Sequence, residues 1–324
     1  MSISSIPSIS SIAATLAAFA VALAVCEPAT AQEQDSAAAN ATAYPPLRSV
    51  APPSAELKER LNLSDFYAKW VDADGFPILG SEKVSDYALL EAAWIVDHML
   101  AGRDDIRRAL VESKTRCVVM AASEMTTAVP EHSDLEPARY WDRRARGLGA
   151  TRRRPVISCG EENLLGLRGD PYSAENILVH EFAHTMHQMG VNRIDRSFDR
   201  KLRDVYRQAI DEGLWRGTYA ATNAGEYWAE GVQSWFDTNR SNDGQHNHVD
   251  TREELKEYDP RLAALCAEVY GENEWRYQRP RDRGEKAHLD GFDSRESGLA
   301  FRWPDGLNEW YREYNEQRRR ERQP

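Results

Sequence analysis

The sequence predicts an α+β domain in which a small mixed sheet comes first and helices dominate the second half. Three observations carry this. Two short β-branched runs, Cys117-Val118-Val119-Met120-Ala121-Ala122 and Pro155-Val156-Ile157-Ser158-Cys159, read as buried strands by length and branching. Both precede the pentad His180-Glu181-Phe182-Ala183-His184. Beyond the pentad every strongly patterned segment has helical period.

The chain has 324 residues, enough for one large core. Its start reads as an export signal. Ile12 to Val25 is an apolar run too short to span a bilayer comfortably, and Ala29-Thr30-Ala31 offers a cleavage site before Gln32. Residues 1–31 are therefore expected to be removed, giving a secreted, periplasmic or cell-surface protein, with a lipid anchor at Cys26 as the alternative. Cleavage takes away only Glu27, so the net charge moves from −11 to −10. An acidic chain of this kind argues against a nucleic-acid partner, and nothing after the signal predicts a membrane span. Arg143, Arg144, Arg146, Arg152, Arg153 and Arg154 flank a Gly-rich turn, and Arg318, Arg319, Arg320 and Arg322 form the tail. These read as a solvated loop and a basic terminus. Cys117, Cys159 and Cys266 remain after cleavage, an odd number that allows at most one internal disulfide.

Residues 32–54 are rich in Ala, Pro and Ser and predict a disordered linker, with a single domain over 55–315 and a basic tail at 316–324. Within the domain, Phe66 to Val71 and Phe76 to Leu79 bracket Asp72-Ala73-Asp74-Gly75 as extended pieces around a turn. Ser85 to Leu100 predicts a helix with Leu89, Ala92, Ala93, Val96 and Met99 on one stripe, and Asp104 to Glu112 a shorter one. After the strands, Asp170-Pro171 offers an N-cap and a first helical residue, and the helix is expected to run to Gly190. Its apolar residues Leu178, Phe182, Thr185, Met186 and Met189 lie opposite the two histidines. Arg193 to Glu212 and Gly225 to Phe236 predict further helices, Thr251 and Glu254 form a capping box, and Arg261 to Tyr270 is a last apolar helix.

The pentad decides the chemistry. On a helix, His180 and His184 stand one above the other and can share one cation, while Glu181 lies about 100° around the axis. That geometry supplies two zinc ligands and a general base. A catalytic zinc takes a third protein ligand. In the segment from Tyr219 to Glu230, the carboxylates of Glu226 and Glu230 stand four apart on one helical face, so either can ligate. Tyr219 and Tyr227 can both act as donors or pack as aromatics. His187 falls near the metal face, His246 and His248 lie in a loop, and Glu161 and Glu162 follow a strand at a cleft edge or in solvent.

The pentad together with Tyr219, Asn223, Glu226, Ala229 and Glu230 resembles the anthrax lethal factor-like zinc metallopeptidases, a family of gluzincins. The 41 residues between His184 and Glu226 are close to the family's spacing. The resemblance covers roughly Asp170 to Phe236 and leaves out residues 55–150. It implies a zincin-like domain holding one Zn2+ per chain and hydrolysing peptide or protein substrates. It also makes Glu226 the third ligand, Glu230 the support of a histidine ligand and Tyr219 the transition-state stabiliser. Two other readings stay open: a zinc amidase acting on cell-wall or other non-protein amides, and a catalytically silent zinc-binding surface protein.

Overall fold

The computed structural model describes residues 45–322, so the expected signal at residues 1–31 and the lipid-anchor alternative at Cys26 lie outside the described residues. No helix among them is long and apolar enough to cross a membrane. The polypeptide is α+β, with a five-stranded mixed sheet in the order β1-β2-β3-β5-β4. Strands β1 (Lys69–Ala73) and β2 (Phe76–Gly80) are the expected extended pieces around a turn, but Asp72 and Ala73 pair with Pro77 and Phe76 as part of β1, so the turn is Asp74-Gly75, where both residues have positive φ. Strands β3 (Arg116–Met120) and β5 (Val156–Gly160) run parallel to β2, and the two-residue β4 (Gly147–Leu148) closes one edge antiparallel to β5.

Strand β3 is buried along its whole length because both faces are covered. Cys117 and Val119 face the main core with Ile157 and Cys159, whereas Val118 and Met120 join a smaller cluster with Leu57, Leu61, Tyr67 and Val156. That second face is roofed by α1 (Ala55–Leu61), whose N-cap Ser54 accepts from Leu57 N. Cys117, Cys159 and Cys266 are all buried thiols, and none forms a disulfide.

On the main face lie α2 (Asp86–Met99) and α3 (Asp104–Glu112), as the sequence pattern predicts, and all five residues of the α2 stripe are buried. After α4 (Ala138–Arg144) and the short α5 (Glu161–Leu165) comes α6 (Ile177–Thr185), the helix of the pentad. Its start corrects the sequence expectation. Asn163 binds the chain from 170 to 177: its Nδ2 donates to Asp170 Oδ2, Tyr172 O and Glu175 O, and its Oδ1 accepts from Ile177 N at 2.7 Å. The Asp170-Pro171 segment is therefore held as a turn, and Asn176 caps the helix by accepting from Val179 N at 3.0 Å.

Gly190 does not end the helix either. Residues Met186–Val191 form a π-helical turn that leads into α7 (Asn192–Ile194). A Cβ on Gly190 would sit 2.7 Å from Ile106, so glycine is needed for the contact with α3 and not as a stop. The chain continues through α8 (Phe198–Asp211), α9 (Ala224–Trp235), α10 (Arg252–Tyr258), α11 (Pro260–Tyr270) and α12 (Leu307–Glu321). The Thr251–Glu254 capping box opens α10 as predicted. Helix α9 lies across α6, with Trp228 Nε1 donating to Ala183 O at 3.1 Å.

Three polar readings change. Arg146 is no solvated loop residue: it is fully buried and paired with Glu162, whose side chain is equally buried. Glu161 is buried too, accepting from Ser85 N and Ala122 N at 2.8 Å each. Both expected ends are more ordered than their compositions suggest. Ala51 pairs with Trp70 and Arg48 lies 2.9 Å from Asp97, so part of the predicted linker is fixed to the domain. Residues 316–321 of the predicted tail continue α12. Arg146, Glu161, Arg48 and Ala51 give no local sequence signal because each has its partner in another segment of the chain.

Candidate metal centre

The centre is built where α6 faces the first turn of α9. One helical turn brings His180 Nε2 and His184 Nε2 to 3.2 Å. Asn223 caps α9 by accepting from Gly225 N at 2.8 Å and Glu226 N at 3.1 Å, which fixes Glu226 at the positive end of the helix dipole. Glu226 Oε2 then lies 3.2 Å from each histidine Nε2. The three donor atoms form an equilateral triangle, and the group can hold a metal ion.

The charges around the triangle are arranged for a cation. Burial opposes protonation of His180, yet its bond to Glu226 and the nearby Glu181 and Glu230 carboxylates raise its pKa to about 10. Burial alone would push Glu226 upward, but the two imidazoles hold its carboxyl well below the usual range. Glu181 is raised above the ordinary carboxylate value, chiefly by burial, and so becomes a stronger base.

His180 is oriented from behind by a residue that sequence reasoning missed. Its Nδ1 lies 2.7 Å from Gln233 Oε1, whereas Glu230 Oε1 stands 3.7 Å away. Gln233 is fully buried and donates in turn to Glu175 Oε2 at 3.1 Å and Asn176 O at 3.3 Å. An amide oxygen at this place accepts from Nδ1–H, so that once Nε2 gives up its proton it carries the lone pair that an ion would take. The nearest partner of His180 is thus Gln233 and not the expected Glu230, which lies 3.5 Å from His246 Nε2 instead.

The sheet edge comes close because of two glycines. A Cβ on Gly147 would fall 2.3 Å from Ile177 Cγ2 and 3.0 Å from Glu181 Cγ. One on Gly149 would fall 3.0 Å from His184 Cβ and 3.3 Å from Glu181 Oε2. Without side chains there, the β4 edge lies directly against the metal face of α6. Between them opens a cleft of about 360 Å³ whose lining includes Gly147, His180, Glu181, Tyr219 and His246.

Tyr219 and Tyr227 separate clearly. Tyr219 lines the cleft with its ring 6.4 Å from that of His180, and burial raises its pKa. Tyr227 is buried and donates to Asp259 Oδ2 at 2.6 Å, away from the cleft. His187, near the metal face by helical position, is also buried, 3.4 Å from Asp199 and packed against Phe198, and is not among the residues lining the cleft. His246 is in a loop, as expected, but its ring reaches the cleft, while His248 packs on Tyr258. A larger cavity of about 660 Å³ beside Arg168 and Lys286 shares no lining residue with this cleft. No family model, curated protein or solved structure matches the chain.

Proposed function

We propose that this chain is an exported zinc-dependent metallopeptidase of zincin-like fold, with His180, His184 and Glu226 as zinc ligands. The observation that carries the reading is the donor triangle with 3.2 Å edges next to the half-buried Glu181, whose carboxyl is raised above the ordinary carboxylate value, chiefly by desolvation. Zinc bonds of roughly 2.0–2.1 Å in a tetrahedron require donor separations of about 3.3 Å, so the residues fit the ion. Two imidazoles and one carboxylate are also the donor set zinc takes in hydrolases, with a fourth position left for water. The resemblance of this segment to the lethal factor-like peptidases supports the same assignment.

When bound, zinc lowers the pKa of water toward neutrality and polarises the substrate carbonyl. The remaining work falls to the chain. An extended peptide adds to the edge of β4, which lines the cleft at Gly147. Glu181 accepts a proton from the attacking water as the new C–O bond forms, then delivers it to the amine as the C–N bond breaks. Tyr219 donates its hydroxyl to the oxygen that gains negative charge. Gln233 holds the His180 ring in place throughout.

The test is cleavage of a diverse peptide library by the purified mature protein, with and without chelator. Peptide cleavage that chelation abolishes and zinc restores is the expected result. Cleavage confined to cell-wall fragments would make the protein an amidase, and cleavage of nothing would leave a zinc-binding surface protein.

A further inference from the structure

The cleft also holds charged side chains that the proposed chemistry does not use. Of the three arginines lining it, Arg146 is buried against Glu162, and Arg240 lies 3.2 Å from Glu175. Arg144 has no such partner: among the described residues no carboxylate comes within ion-pair reach of its guanidinium. Its surroundings are phenols. Nη2 lies 3.5 Å from the Tyr219 hydroxyl, and Tyr172 and Tyr311 line the same wall. The Tyr172 hydroxyl reaches the Arg144 carbonyl at 3.4 Å, fixing the backbone beneath the side chain.

The neighbouring arginine shows that this placement is not a general property of the segment. Arg143 is not among the cleft-lining residues, and its guanidinium lies 4.4 Å above the Trp303 ring and 5.4 Å from that of Tyr311. Arg144, at the end of α4, is left open to the cleft three residues before Gly147. A peptide lying along β4 must pass it, within roughly 10 Å at strand rise. A guanidinium without a counter-ion presents a planar fork of donors that matches a carboxylate.

We propose that Arg144 forms a carboxylate-binding subsite that selects peptides carrying an acidic side chain or a terminal carboxylate within a few residues of the cleaved bond. This rests on the metallopeptidase reading. The test uses the zinc-loaded full chain and matched peptides that differ only as Glu against Gln near the cleaved bond, each made as the amide and as the free acid. The Glu peptide, the free acid, or both should exceed the neutral amide in kcat/KM by about tenfold. The Glu amide and the Gln free acid tell the two sources of carboxylate apart. Arg144→Gln should bring the ratio to about one, and Arg144→Glu should turn the preference toward Lys-containing peptides. Cleavage without acidic preference, or a preference that survives Arg144→Gln, overturns the subsite while leaving the hydrolase reading intact. If no peptide is cleaved, the hydrolase reading falls, and calorimetric binding of the same peptides to the zinc-loaded protein decides the subsite. Tighter binding of the acidic peptide that Arg144→Gln removes supports it; equal binding, or none, overturns it.

Discussion

Gln233 Oε1 lies 2.7 Å from His180 Nδ1, two helical turns beyond Glu226 on the same face of α9. One helix therefore supplies both a donor in front of the metal site and the group that orients a histidine from behind. Glu175 and Asn176 hold the Gln233 amide nitrogen, so the orientation is fixed as well as the distance.

Removing that support should weaken zinc binding without abolishing it. Gln233→Leu is expected to lower zinc affinity by roughly ten- to a hundredfold, and Glu230→Gln by less. Glu226→Ala should lose the ion outright. Competition against a chelator of known affinity measures all three, and a larger loss for Glu230→Gln than for Gln233→Leu would return the supporting role to Glu230.

The two tyrosines give a cleaner separation of chemistry from stability. Tyr219→Phe should keep fold and zinc content while kcat falls on the order of a hundred- to a thousandfold, since its hydroxyl acts mainly in the transition state. Tyr227→Phe should keep kcat but leave Asp259 short of a buried donor, costing about 1–3 kcal/mol in denaturant unfolding. Wild-type turnover in Tyr219→Phe would remove this tyrosine from the mechanism.

Much of this arrangement is legible from local sequence, and what escapes it is long-range. The pentad and the bounds of α3 follow from spacing and periodicity within one segment, which also offers the pairs Glu226 and Glu230, and Tyr219 and Tyr227; the resemblance alone favours Glu226 and Tyr219. Gln233 gives no such signal, because an uncharged amide at a buried helical position looks like any polar helix residue. The start of α6 is misread because Asn163, across the loop, claims Asp170 and the backbone of the turn. Arg146 sits among arginines that are partly or fully exposed, and only its pairing with Glu162 on the far side of β5 marks it as buried. The glycines that admit β4 to the site read from sequence as an ordinary turn.

A buried histidine outside the site sets part of the acid sensitivity. His132 is 1% exposed, with Nε2 3.1 Å from Ser158 Oγ, and burial lowers its pKa from 6.5 to about 4. The unfolded chain therefore takes up this proton first as pH falls. Its contribution to stability is complete above pH 6.5 and is lost progressively down to about pH 4, by up to about 3 kcal/mol. Urea unfolding at pH 7.5 and 4.5 should show a smaller loss for His132→Gln than for the wild type. Equal losses would mean that His132 titrates alike in both states.

On the proposed reading, His180, His184 and Glu226 hold a zinc ion whose hydrolytic chemistry needs Glu181 as base. Glu181→Gln tests it most directly, because the substitution removes the base and leaves all three ligands. Zinc content by elemental analysis and peptide hydrolysis are measured on the same preparations. One zinc per chain is expected in both proteins, and hydrolysis only in the wild type. Wild-type hydrolysis by Glu181→Gln, or peptide hydrolysis by a zinc-free wild type, would contradict it.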